Sequence, residues 1–269
     1  VAVRRQRQMC IRDRFSTFIP YQPIMKDVAA YIFTSGTTGL PKAALVDHAK
    51  LVKGSFAGHF LCFNFNKNDR LYMTLPLYHS TGLILGWAAS LRSGCPNVIK
   101  SKFSASDFWN DVKKYNVNKF IYVGELCRYL MNLPPSDGDK DNPITQISGN
   151  GLRPDIWESF QKRFNINKIV EIYGATEAVG MTINTFGRSG MIGRKRSDST
   201  IIHCNKDDGS PILNDEGFCT KVSEGETGLY IQKISSSAKF QGYLDAQASN
   251  KKILQNVFKT GDQYFNTGD

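Results

Sequence analysis

The sequence predicts an α/β fold in which parallel-sheet βα units are followed by a β-rich subdomain. Three observations carry this reading. Two segments with helical spacing, Phe108, Val112 and Tyr115 in one and Ile156, Phe160 and Phe164 in the other, each run into a short apolar strand. Val28–Thr34 (VAAYIFT) is a β-branched and aromatic run that stops at a Ser/Gly/Thr cluster, so it reads as a buried strand entering a loop. Beyond about Gly180, Gly-Asp, Asp-Gly and Glu-Gly turns separate short strand-like stretches, the pattern of antiparallel pairing.

In chain order, residues 48–65 read as a helix weakened by Gly54 and Gly58, and 70–75 as a strand closed by Pro76. Ser104 or Ser106 can cap the next helix, and Lys119–Val123 follows it as a strand. Residues 134–143 (PPSDGDKDNP) form a polar surface loop. Lys168–Tyr173 is a further strand, and 228–234 and Gln263–Asn266 belong to the β-rich part. Alternation of helices with short strands is the signature of a largely parallel sheet.

Composition fits a globular protein of 269 residues: 41% hydrophobic, 12% aromatic and 22% charged. The net charge of +10 invites a nucleic-acid or anionic-membrane partner, but residues 1–14 (VAVRRQRQMCIRDR) hold five Arg against one Asp, so +6 is left for the rest. That opening stretch has no apolar period and no signal-peptide core. It resembles a peptide produced when sequencing-adapter DNA is translated at a transcript edge, and is set aside as non-native; a genuine basic arm is the alternative. No nucleic-acid partner is expected. The six cysteines, Cys10, Cys62, Cys95, Cys127, Cys204 and Cys219, show no metal-ligand spacing and read as reduced thiols in a cytosol-facing protein. The longest apolar run, 81–91, is too short to span a bilayer.

Chemistry concentrates in three places. Residues 34–42 (TSGTTGLPK) carry a strand end, then hydroxyl and glycine positions, then a lysine. Glycines let backbone N–H groups approach phosphate oxygens, hydroxyls add hydrogen bonds, and Lys42 adds a charge. Pro41 excludes a Walker loop; a Ser/Thr-rich turn is the plain alternative. Residues 173–177 (YGATE) stand at a strand's carboxyl end, where α/β sheets bind ligands. They offer an aromatic face, a glycine, a hydroxyl and a carboxylate, a set able to stack a purine, touch a phosphate and hold Mg²⁺. An exposed Glu in a turn is otherwise unremarked. Residues 264–269 (YFNTGD) put Asp269 after a tight turn, where a carboxylate can accept two ribose hydroxyls.

YIFTSGTTGLPKAALVDH resembles the phosphate loop of the adenylate-forming superfamily, which includes acyl-CoA synthetases, luciferases and peptide-synthetase adenylation domains. YGATE follows at about the superfamily's spacing, and the third motif keeps its order. GNGLRPDIW (149–157) and the segment 225–269 are similar to the fatty acid transport protein/very-long-chain acyl-CoA synthetase family in particular. The resemblance covers nearly all of residues 26–269. It implies that Thr34, Ser35, Gly36, Thr37, Thr38 and Gly39, with Lys42, hold ATP phosphates, and that Gly149, Asn150 and Gly151 form the turn before the adenine pocket. It further implies that Tyr173 and Gly174 lie by the adenine, Thr176 by the α-phosphate and acyl carboxylate, Glu177 on Mg²⁺, and Asp269 on the ribose. PLYHSTGL (76–83) fits the loop lining the acyl pocket, with His79 near the carboxylate; a structural His is the alternative. Residues 83–91 either border an acyl tunnel or form a core helix. His48, His59 and His203 show no partner pattern.

The implied activity is ATP-dependent synthesis of long- or very-long-chain fatty acyl-CoA through an acyl-adenylate, with CoA as co-substrate. Fatty-acid uptake or lipid binding with secondary catalysis, and adenylation of another acid, are the alternatives. On this resemblance residues 15–180 are the α/β AMP-binding part and 181–269 the β-rich part of one large domain. The family's small C-terminal domain with its catalytic lysine, and a large N-terminal part that includes its membrane-associated segment, are expected to lie outside the sequence. The chain therefore reads as a fragment with little turnover of its own, from a membrane-associated protein whose catalytic domain faces the cytosol at the endoplasmic reticulum, peroxisome or plasma membrane. Ala178 after Glu177 is a small departure from the family pattern.

Overall fold

A computed structural model describes residues 21–34 and 40–269. Its centre is a six-stranded sheet of order β4-β3-β5-β6-β7-β8, where β3 is Leu71–Met73, β4 Asn97–Ile99, β5 Lys119–Val123, β6 Gln146–Asn150, β7 Lys168–Tyr173 and β8 Thr182–Asn184. The first five strands run parallel, and β8 closes the edge antiparallel to β7. That last strand lies past the residue-180 division drawn from the sequence.

Strand alternation sorts the core into two layers. Tyr72, Phe120, Tyr122 and Ile169 face a cluster with Phe108, Leu130, Trp157 and Phe160. Those partners come from α3 (Ala105–Lys114), α4 (Gly124–Met131) and α5 (Pro154–Arg163). On the opposite face Leu71, Met73, Ile121 and Ile172 pack with Cys62, Phe63, Leu85 and Ala89. Period-two alternation thus buries both faces of the sheet, each fully buried large side chain contributing about 1.5–3 kcal/mol. Ser104 caps α3, its Oγ accepting from the Asp107 N–H at 3.4 Å.

The second helical layer departs from a plain helix. α1 (His48–Phe56), capped by Asp47, continues as π-helical turns over Ala57–Phe63. A second π-helical stretch, Thr81–Ala88, runs into α2 (Ala89–Ser93). Gly54 and Gly58, which weaken the helix on propensity, are required where the two stretches meet: a Cβ on Gly54 would lie 2.3 Å from Ile84 Cγ2, and one on Gly58 2.8 Å from the Leu85 carbonyl. Tertiary contact overrides the propensity cost of about 1 kcal/mol per glycine.

β1 (Val28–Thr34) corrects an expectation. It is not a buried strand; it pairs with β2 (Lys42–Asp47) as a two-stranded antiparallel ribbon. Ile32 faces inward at 2% exposure, against Val46 and Ile84, while Tyr31 and Phe33 stand 55% and 63% exposed. A ribbon covered on one side buries only alternate residues. The segment 70–75 likewise shortens to the three residues of β3.

The β-rich part is a four-stranded antiparallel sheet of order β11-β12-β10-β9, with β9 Ser199–Ile202, β10 Leu229–Lys233, β11 Ile253–Gln255 and β12 Gln263–Asn266. Short α6 (Ala246–Asn250) precedes β11. Cys62, Cys95, Cys127, Cys204 and Cys219 are free thiols; burial pushes the Cys62 thiol up to about 12, so it stays protonated and unreactive. Among the described residues no helix is long and apolar enough to cross a membrane.

Candidate active site

Two cavities flank the carboxyl ends of β6 and β7, one of about 570 Å³ and one of about 410 Å³. Both touch Asn150, Ile172 and Gly174, so the turns after these strands form the wall between them. Backbones come unusually close here. A Cβ on Gly149 would lie 2.1 Å from the Tyr122 carbonyl, and Gly151 takes φ +81°, which only glycine adopts freely.

The smaller cavity is built on Glu171, a 5% exposed carboxylate in the middle of β7. Its Oε2 accepts from Tyr122 Oη at 2.5 Å, and its Oε1 from the Leu152 N–H at 3.2 Å and from the Gly151 N–H. Burial raises its pKa against those three hydrogen bonds. Glu171 thereby fixes the Asn150–Gly151–Leu152 turn that, with Trp157 and Tyr173, lines the cavity. Tyr173 leans edge-on to Tyr230, ring centroids 5.8 Å apart, and its hydroxyl donates to Asp269 Oδ2. Burial and the Asp269 carboxylate both hold the Tyr173 phenol above its ordinary pKa.

Residues 174–181 form a loop held from four directions. Thr176 Oγ1 and Ser80 Oγ share a hydrogen bond of 3.0 Å. Glu177 Oε1 accepts from Tyr243 Oη at 2.6 Å. The Lys50 ammonium donates to the Ala178 carbonyl at 2.9 Å. The Gln232 amide, 1% exposed, bonds both the N–H and the carbonyl of Gly180, at 3.1 and 3.0 Å. Burial pulls Lys50 down to about 8 despite the attraction of Glu177 and Asp47.

Glu177 is itself buried, at 8% exposure, and its Oε2 has no hydrogen-bond partner among the described residues. A buried carboxylate oxygen left bare is costly and calls for a cation or a donor. No group of three His, Cys, Asp or Glu able to hold a metal exists among the described residues. A single buried carboxylate oxygen without a donor is a set that suits Mg²⁺, which keeps several waters and takes its remaining oxygens from a ligand. The residues fit that ion.

The larger cavity joins an apolar wall, including Ile84, Leu85, Ile172 and Met181, to a cationic rim of Lys26, Lys50, Lys53, Arg196 and Lys239. The acidic residue on its lining, Asp47, is occupied by the Lys50 N–H and the Gln241 side chain. The balance suits an amphipathic anion. Of the stretch 83–91, Ile84 and Leu85 line this cavity, while Gly86 is buried against Met73 and Ile121.

A match to the AMP-binding enzyme family runs over residues 8–231. The chain belongs to that family. It is 43% identical to "Long-chain fatty acid transport protein 6" of Mus musculus over 252 residues, which are 91% of this chain and 40% of that protein. Against "Medium/long-chain-fatty-acid--CoA ligase FadD6" of Mycobacterium tuberculosis it is 37% identical over 244 residues, 91% of this chain and 41% of that one. The chain thus spans about two fifths of the length of these relatives. Among solved structures, ATP-bound MatB from Rhodopseudomonas palustris superposes with a TM-score of 0.74 at 20% identity, covering 94% of this chain and 47% of that one, a likeness of fold.

In this AMP-binding family member the sequence-predicted residues distribute as follows. Asn150, Gly151, Tyr173, Gly174, Thr176 and Glu177 converge at the sheet edge, and Asp269 joins them through Tyr173. Lys42 opens β2 with its ammonium 5.7 Å from the Tyr243 ring, and Thr34 Oγ1 donates to the Lys42 carbonyl at 3.3 Å. Ser35, Gly36, Thr37, Thr38 and Gly39 lie outside the described residues. His79 is exposed beside Tyr78 and lines neither cavity; its neighbour Ser80 is the residue that bonds Thr176. Four contributors escaped sequence reasoning: Lys50, Glu171, Gln232 and Tyr243. Glu171 alone left a trace there, an acid flanked by apolar residues within KIVEIY.

Proposed function

We propose that this chain is the nucleotide- and acyl-binding portion of an ATP-dependent long- or very-long-chain fatty acyl-CoA synthetase. The observation that carries the reading is the convergence of a bare buried carboxylate oxygen, a hydroxyl pair and two cavities on the single loop after β7. The smaller cavity, walled by Gly151 and Tyr173, takes the adenine, and Asp269 takes the ribose. The larger one takes the acyl chain along Ile84 and Leu85, its carboxylate drawn by the cationic rim toward Thr176. Residues 34–39, with Lys42, hold the β- and γ-phosphates, leaving the α-phosphorus facing the carboxylate. The carboxylate oxygen bonds to that phosphorus, pyrophosphate leaves with the bond electrons, and an acyl-adenylate remains. CoA thiolate then attacks the acyl carbon and AMP departs. Glu177 would hold Mg²⁺, which would supply charge neutralisation at the phosphates. His79, exposed and lining neither cavity, keeps its place near the acyl carboxylate in this proposal only through the family resemblance of 76–83.

The partner is therefore a long-chain acid rather than a nucleic acid, and membrane attachment at a cytosolic face is part of the same proposal for the whole protein. The test is fatty-acid-dependent exchange of labelled pyrophosphate into ATP, on the chain alone and on a form joined to the segments its relatives carry beyond the match. Exchange that requires a long-chain acid and disappears in Glu177→Ala is expected. A joined form that folds and binds ATP but exchanges with no fatty acid overturns the synthetase reading. The relatives' transport-protein names favour a second reading, lipid uptake with catalysis secondary. Uptake that survives Glu177→Ala and Lys42→Ala would establish it.

A further inference from the structure

We propose that Tyr243 is the positioning residue that orients the Glu177 carboxylate for Mg²⁺ and ties this cation seat to Lys42 on the ribbon beyond the phosphate loop. The inference rests on the reading that Glu177 holds the metal. It adds how the carboxylate is held and what else moves with it.

The geometry assigns different work to the two oxygens of Glu177. Oε1 accepts the Tyr243 hydroxyl at 2.6 Å, and Oε2 is buried and bare. With Oε1 engaged by a neutral donor, Oε2 is the oxygen left with both lone pairs for a cation. The Glu177 side chain starts from a loop, and the Tyr243 hydroxyl is the hydrogen-bond donor that fixes which oxygen it presents.

Tyr243 is in turn held rigidly. Its backbone N–H donates to Ser249 Oγ at 2.8 Å, and Ser249 Oγ lies 3.2 Å from its carbonyl. It bridges to Ala44 of β2, flanked by Leu45 N–H to Gly242 O at 3.0 Å and Leu244 N–H to Ala43 O at 2.9 Å. The Lys42 ammonium sits 5.7 Å from the ring. One aromatic side chain therefore has the phosphate-side lysine over its ring at 5.7 Å and hydrogen-bonds the metal-side carboxylate. Displacing the ribbon carries the Tyr243 hydroxyl, and with it the orientation of Glu177.

Tyr243→Phe separates this role from packing, because the ring, the Ser249 staples and the Lys42 contact remain while only the hydroxyl goes. Mn²⁺ binding to the chain in the presence of ATP is read by electron paramagnetic resonance of the free ion, beside metal-free ATP affinity as a control. A loss of about 10- to 100-fold in Mn²⁺ affinity is expected for Tyr243→Phe, the usual effect of removing an outer-shell partner of a metal ligand. Metal-free ATP affinity should not change, and Glu177→Gln combined with Tyr243→Phe should lose no more than Glu177→Gln alone. Wild-type Mn²⁺ affinity in Tyr243→Phe, with affinity lost in Glu177→Gln, overturns the proposal and leaves the metal reading standing. Unchanged affinity in both variants, or no Mn²⁺ held by the wild type, overturns the metal reading and the proposal together. If Tyr243→Phe does not fold, the wild type still decides. Mg²⁺ added to its ATP complex must perturb the tyrosine ultraviolet difference spectrum, a signal that Glu177→Gln abolishes, and its absence in the wild type overturns the proposal.

Discussion

Replacing Glu171 by Leu should cost far more than a surface-like acid would suggest. The carboxylate accepts three hydrogen bonds, from Tyr122 Oη, the Gly151 N–H and the Leu152 N–H. Gly151 is exposed and its N–H can turn to water, but Tyr122 is fully buried and Leu152 is 5% exposed. Two donors therefore remain unsatisfied, each costing about 1–3 kcal/mol. Part of that returns because a carboxylate destabilised by burial has been removed. The expected net loss is about 2–4 kcal/mol, a large share of a typical 5–15 kcal/mol domain stability. Glu171→Gln keeps the shape and an oxygen for the two N–H groups, and should cost about 1 kcal/mol. Urea unfolding of the three proteins measures this, provided their m-values agree. ATP affinity should fall with the Leu variant, because the Gly151 turn loses its anchor. A Leu variant within about 1 kcal/mol of wild type would refute the reasoning, since the buried donors would then have found other partners.

Four further outcomes follow from the same structure. Because burial raises the folded-state pKa of Glu171, the unfolded chain releases that proton first; wild-type stability relative to Glu171→Gln should fall as pH rises from the ordinary glutamate range through the folded pKa, read by urea midpoints across pH. Lys50 shows the opposite sign: its pKa near 8 lies below the unfolded value, so wild-type stability relative to Lys50→Met should rise from about pH 8 to about pH 10, by at most about 3 kcal/mol, in the same assay. Gly149→Ala should force β5 and β6 apart, costing about 1–3 kcal/mol or more and weakening ATP binding, since a Cβ would lie 2.1 Å from the Tyr122 carbonyl. If the proposed activity holds, Ser80→Ala in the form joined to its relatives' further segments should raise the KM for the fatty acid more than that for ATP, because it frees Thr176 on the side of the larger cavity.

Local signals in the sequence located much of this. Lys119–Val123, Lys168–Tyr173 and Gln263–Asn266 are strands over the expected residues, and Ser104 does cap its helix. Apolar runs and hydroxyl caps act within a few residues, so short-range reasoning reaches them. β1 was misjudged because VAAYIFT is equally apolar whether one face or both are covered; what decides is the ribbon partner β2. The π-helical turns were invisible, since widening a helix hardly alters its apolar spacing and depends here on Gly54 and Gly58 meeting another segment. In the site, the chemically dense turns stood out, while their supports did not. Lys50, Gln232 and Tyr243 are ordinary residues in their local context and gain meaning only across 128, 52 and 66 positions respectively.

Those separations bear on how the molecule comes into being. A chain emerging from the ribosome as far as β8 already carries every strand of the six-stranded sheet, yet Glu177 has no tyrosine and Gly180 no glutamine. Gln241 must then reach back 194 residues to Asp47 before the ribbon is locked against the loop. Contacts so distant form late, because the entropy of closing long loops must be met before they return anything. The loop after β7 accordingly acquires its shape later than the strands of the six-stranded sheet, which are already synthesised when Gln232 and Tyr243 arrive.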